Sequence, residues 1–187
     1  MVVLGLGCLT QDGFRPSQLK NAPKGSGDQT TALLKHGDLL MSRANTRELV
    51  GLAGRYLDIG HPCLYPDLMM RLRPRRRCRA RFLEIVLRSP GVRQQLTAGA
   101  QGTSDSMVKI SGSLVMNLRI PLPALEEQDR ILGVLDDSRQ RIAVERDRLG
   151  KLKLVRQGLM DDLLSGAVGL QARPGSEQNE FSDPVTA

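Results

Sequence analysis

Apolar positions follow two regimes along this chain. Up to about residue 120 they come in short runs broken by Gly, Pro, Ser and Asn; beyond Pro123 they recur at helical spacing, with no further proline until after Gly166. The first regime predicts short strands and helices packed into one domain, the second a single long helix. Residues 1 to about 30 read as a strand followed by loops, ending in Lys24-Gly-Ser-Gly-Asp28. His36-Gly-Asp38 is a turn that delivers the chain into a short buried strand at Leu39-Leu-Met41, and Ser42-Arg-Ala-Asn-Thr46 follows as a polar loop. Residues 49–53 and 65–72 predict two further strands, with Arg71-Leu-Arg73 alternating as a half-buried strand does. A helix is expected over 80–88, interrupted by Ser89-Pro-Gly91, and a second short one over 92–96. A Gly/Ser/Thr loop at 99–105 and strand-like pieces at 107–110 and 114–120 complete the region.

Pro121-Leu-Pro123 closes the first regime, because proline cannot sit in a helix interior and pushes its predecessor toward extended backbone. Glu126, Glu127 and Asp129 then stand where a helix start favours negative charge. From there to Gly166 is about 40 residues, roughly 60 Å of helix at 1.5 Å per residue. Placing heptad position a at Gln128, Leu135, Ile142, Leu149, Arg156 and Leu163, and d at Ile131, Ser138, Glu145, Leu152 and Leu159, makes seven of those eleven positions apolar. A helix of this length with such a seam needs another helix against it, and Ile131, Leu135, Ile142, Leu149, Leu152, Leu159 and Leu163 are the expected pairing residues. The alternative is a helix folded back on its own domain at Gly150 or Gly158.

Charge divides at the same place. Up to residue 120 there are 18 Lys+Arg against 8 Asp+Glu, and beyond it 9 against 12, so the net +7 comes from the first part alone. Such asymmetry favours a polyanionic partner over a merely soluble surface. Three Phe, two Tyr and no Trp leave few platforms for stacking unpaired bases, which turns the expectation toward duplex DNA held by its phosphates. No run approaches the ~20 apolar residues of a membrane helix. The first eight residues lack the features of a secretory signal, and Cys8, Cys63 and Cys78 show no Cys-x-x-Cys pair. A cytoplasmic protein without a disulfide framework or zinc site is therefore expected.

Arg71, Arg73, Arg75, Arg76, Arg77, Arg79 and Arg81 place seven guanidinium groups within eleven residues, with Pro74 preventing a helix at their start. Such a run suits a phosphate backbone, each arginine donating paired hydrogen bonds; a solvated loop is the alternative. Arg43, Asn45 and Thr46 suit base edges, although a polar loop often bonds only to its own backbone. Thr103, Ser104 and Lys109 join them as candidate readers, the loop before Lys109 being able to bring main-chain N–H groups near phosphate. Catalytic patterns are incomplete: His36 and His61 have no metal-ligand spacing, Gly5-Leu-Gly7 meets Thr10 where a dinucleotide fingerprint needs glycine, and no Asp/Glu-x-Lys follows Pro66-Asp67. No catalytic residue, metal site or cofactor is assigned to this chain.

His36-Gly-Asp-Leu-Leu-Met-Ser-Arg-Ala-Asn-Thr46, Asp67-Leu-Met-Met-Arg-Leu-Arg-Pro74, Gly102-Thr-Ser104, Ile120-Pro-Leu-Pro-Ala-Leu-Glu-Glu-Gln128 with Arg130-Ile131, and Gly158-Leu-Met-Asp-Asp-Leu-Leu-Ser-Gly166 together resemble the specificity subunit of Type I restriction-modification systems. The resemblance spans about residues 30 to 170 in the family's order. It implies an α+β chain: a mixed α/β target recognition domain that reads half of a split double-stranded DNA sequence, then a coiled-coil spacer helix. It further implies methylation (M) and restriction (R) subunits as partners, with S-adenosylmethionine, ATP and Mg on those subunits only. The expected division is recognition domain 1–122, spacer helix 123–168 and a disordered tail 169–187. Only one domain and one helix are visible, without internal repeat. The resemblance thus implies a half-length subunit that forms a homodimer or joins a second specificity half, or else a truncated piece of one.

Overall fold

The computed structural model describes residues 1–23, 30–102 and 107–169. The chain forms two compact units, Met1–Leu135 and Asp136–Ala187. In the first, strand β1 (Val2–Leu4) lies between antiparallel β4 (Leu19–Asn21) and parallel β8 (Cys63–Leu64), with the hairpin β2 (Leu9–Thr10) and β3 (Gly13–Phe14) between β1 and β4 in sequence. The opening is thus richer in strands than a strand followed by loops. Its pieces of two or three residues are too short to show alternation, so pairing rather than local pattern defines them.

The second sheet is antiparallel, with β5 (Leu39–Ser42) between β7 (Ala53–Arg55) and β9 (Met69–Leu72). Successive side chains of a strand face opposite ways. Leu39 and Met41 enter one core with Val50, Phe82, Val86, Leu96 and Val108, while Leu40 enters another with Leu4, Cys8, Leu52, Tyr56 and Cys63. Both faces of β5 are covered, which explains its unbroken apolar run. The hairpin passes directly over β7, where a Cβ at Gly54 would collide with the backbone at Gly13 and Phe14. Only glycine permits that approach.

Helices α1 (Ala80–Leu87) and α2 (Pro90–Ala98) follow, with Pro90 opening the second helix rather than merely ending the first. Three expectations change. Residues 49–53 are not a strand: Thr46 O accepts from the N–H groups of Leu49 and Val50, making a turn closed by Gly51 at φ +74°, and the strand begins at Ala53. Residues 65–72 become a strand only from Met69. Residues 114–120 are not a strand either. Ser111 Oγ accepts from Leu114 N at 3.1 Å and caps the short helix α3 (Gly112–Met116), a local hydrogen bond that decides against an extended backbone.

Helix α4 (Leu125–Leu164) is unbroken for 40 residues, with Gly150 and Gly158 inside it. Ile131 and Leu132, in its early turns, pack on the larger core of the first unit. Within the second unit every described residue from 137 to 169 is exposed, Ile142, Leu149, Leu152, Leu159 and Leu163 included. Among the described residues no helix is long and apolar enough to cross a membrane. The tail expected over 169–187 lies outside them, apart from Gly169.

Candidate nucleic-acid interface

Many cations of the first unit are spent on its own folding. Arg93 donates to the carbonyls of Val50 and Glu48, Arg88 to Gln11 O, and Arg47 to Thr97 O. Burial pushes the Arg93 guanidinium below its ordinary pKa. Arg55 pairs with Glu84 at 2.9 Å, and Arg15 with Asp12 at 2.7 Å. A guanidinium carries five donors in a fixed fork, which suits it to tying loops through their carbonyls.

The arginine run divides by the same criterion. Arg71 is committed inward: it pairs with Asp38 at 3.1 Å, donates to Leu33 O and Thr31 O, and stacks over the Tyr65 ring at 5.6 Å. Its place in β9 sends it back toward the sheet, so it is not poised for phosphate. Arg79 donates two hydrogen bonds to Asp129, at 3.0 and 2.8 Å. That pairing holds the Asp129 carboxyl below its usual range and raises the Arg79 guanidinium further. Arg81 lies half-buried in α1. Arg73, Arg75, Arg76 and Arg77 remain exposed, with no side-chain hydrogen bond or ion pair to a described residue.

What holds this loop is a residue that heptad reasoning placed on the pairing seam. Gln128 is fully buried. Its Oε1 accepts from Arg79 N at 2.9 Å, while its Nε2 donates to the carbonyls of Arg77 and Pro123, each at 2.8 Å. A side-chain amide is neutral and offers both an acceptor and two donors, so one glutamine satisfies three main-chain groups. The Asp129–Arg79 pair adds a second tie one residue on. The first turn of α4 therefore fastens the end of the arginine loop and the start of α1. No spacing rule in the sequence distinguishes this inward glutamine from a polar seam position; in the structure the N–H groups of Glu127 and Gln128 go to Ala124 O, and the Pro123 carbonyl accepts from the Gln128 side chain.

The candidate readers lie elsewhere. Ala44-Asn45 forms β6, paired antiparallel with β10 (Val108–Lys109) in the register Val108↔Asn45 and Lys109↔Ala44, so the expected polar loop is partly a strand. Arg43 N donates to Leu68 O and its carbonyl accepts from Ile110 N, which anchors the main chain and leaves the side chain exposed. Lys109 is exposed on the neighbouring strand. Asn45 Oδ1 accepts from Thr46 N at 2.9 Å, so part of that amide serves its own turn. Thr103 and Ser104 lie outside the described residues. Arg43 sits beside the start of β9 and Arg73 follows its end, about 15 Å apart at 3.3 Å per residue. The main chain at Arg43 thus lies beside the strand that carries Lys109, whereas Arg73 to Arg77 follow the other end of β9. Among the described residues no group of three His, Cys, Asp or Glu is placed to hold a metal ion.

No family model matches the chain. Over 101 residues, 53% of its length, it is 33% identical to the Type I restriction enzyme EcoKI specificity subunit of Escherichia coli (strain K12). The chain spans 22% of that relative's length. Its fold is similar, at a TM-score of 0.56 and 22% identity, to a chain in a solved structure concerned with complex assembly and conformational transition of the type I R-M system. That match covers 96% of this chain and 45% of the other. The sequence likeness to a specificity subunit is borne out, and so is the α+β fold with its long C-terminal helix.

Proposed function

We propose that this chain, being similar to specificity subunits of Type I restriction-modification systems, is a non-catalytic module that recognises double-stranded DNA and places partner enzymes on it. The observation that carries this reading is the separation of the cations into two kinds. Most arginines of the first unit are tied into its fold, whereas Arg73, Arg75, Arg76 and Arg77 are held on a clasped loop with their guanidinium groups unspent. A preorganised loop of free guanidinium groups is what a phosphate backbone engages at least entropic cost. Arg43 and Lys109, anchored through paired main chain, are the side chains best supported as base readers, with Asn45, Thr46, Thr103 and Ser104 as further candidates. In this reading the helix pairs with a second helix, from another copy or a second specificity half, that carries the other half of a split site. Methylation and restriction subunits then supply S-adenosylmethionine, ATP and Mg chemistry.

The test is selection from a pool of random duplexes by electrophoretic mobility, using the full chain. Recovery of a defined motif supports sequence recognition. Flat retention of every duplex would replace it with an assembly factor that has only non-specific DNA affinity.

A further inference from the structure

We infer that the exposed seam of α4 is built to take a helix with acidic flanks, and to refuse a second copy of this chain. The inference rests on the proposed pairing role of the helix and specifies the partner. The positions that border a seam, e and g, meet their counterparts across a helix pair and set partner choice. With a at Ile142 and Leu149 and d at Leu152, the bordering positions from 139 to 153 are Arg139, Arg141, Arg146, Arg148 and Lys153. All five are cationic and exposed, and none makes an ion pair with a described residue. The ion pair that the helix does make in this stretch, Lys151 with Asp147 at 2.8 Å, lies on the far face and neutralises nothing at the seam.

In a parallel self-pair each g residue meets an e residue of the other helix; in an antiparallel one, e meets e and g meets g. Either arrangement sets this cationic border against itself, and like charges across a helix interface are destabilising. Between 139 and 153 the acid on the seam, Glu145, is one against five; outside that stretch Arg156 stands at an a position, and the bordering acids Glu127 and Asp162 lie toward the two ends of the helix. Apolar exposure along the same stretch, at Ile142, Leu149 and Leu152, gives a partner something to bury. The chemistry that complements both features is an amphipathic helix with Asp or Glu bordering its own apolar seam.

The experiment uses the full chain and two designed five-heptad peptides with identical Ile/Leu seams, one bordered by Glu and the other by Lys, plus an acidic peptide of the same composition with the heptads scrambled. The expected result is a chain that sediments as a monomer at micromolar concentration and binds the Glu-bordered peptide at least about tenfold more tightly than either other peptide, less so at high salt. Replacing all five border cations by Glu should invert the peptide preference, and mixing that variant with the parent chain should give a heterodimer. A stable dimer of the parent chain alone would overturn the inference while leaving helix pairing intact. Equal binding of Glu- and Lys-bordered peptides would overturn it as well. A monomer that binds no peptide would sink helix pairing altogether.

Discussion

Gln128 and Asp129 show how much of this protein is decided by single side chains at one helix start. Replacing Gln128 by Leu fills similar space but leaves Arg79 N–H and the carbonyls of Arg77 and Pro123 without their partner. A loss of about 1–3 kcal/mol is expected for burying such groups unsatisfied, read from urea unfolding of the full chain. The Asp129–Arg79 pair is exposed and acts on position rather than on stability. Since Asp129 is held below the ordinary carboxyl range near 4, its pairing is fully present above that range and is lost as pH falls through the lowered value. In Arg79→Ala the Asp129 carboxyl should titrate at a higher pH than in the parent, measurable by NMR; an unchanged midpoint would show that another group sets it.

Strand β5 and helix α4 are the elements whose sequence signatures differ most, and both follow from what covers them. Leu40 points into the core opposite to that of Leu39 and Met41, so Leu40→Ala should leave a cavity and destabilise by about 2–5 kcal/mol in denaturant titration. Helix α4 has open space around Gly150 and Gly158. Alanine at either adds no clash and removes glycine's backbone freedom. Each substitution should stabilise the helix by about 1 kcal/mol, seen as a later loss of helical circular dichroism on heating. Both glycines lie off the seam, so partner binding should not change. The short helix α3 makes the opposite point: a single Ser111 cap overrides a segment whose apolar residues read as strand.

At the scale of the whole molecule, the net positive charge is less informative than its availability. Arg47, Arg55, Arg71, Arg79, Arg88 and Arg93 bond to carbonyls or carboxylates of the protein, so a simple count overstates what a polyanion would meet. Changing Arg75, Arg76 and Arg77 together to Ala should weaken binding to all duplexes alike. It should also flatten the log–log dependence of affinity on salt by about 0.9 for each phosphate that the loop no longer neutralises. Unchanged binding would identify the loop as solvated surface. Arg71→Ala, by contrast, removes the Asp38 pair and should appear as lower stability rather than as a changed salt slope.

The sequence by itself determined the elements whose pattern is long or chemically emphatic: the unbroken helix after Pro123, the buried strand at Leu39-Leu-Met41, the two helices around Pro90, and the basic character of the first unit. These rest on periodicity, proline geometry and charge, which act locally and survive without knowledge of neighbours. Only the tertiary structure decided which arginines are spent and which remain free, that Gln128 and Ile131 face inward from a helix read as a pairing seam, and that the opening residues form a sheet through β1, β4 and β8. Those outcomes depend on carbonyls and side chains brought together from distant parts of the chain, as Arg77, Pro123 and Gln128 are. A one-dimensional pattern carries no record of such meetings.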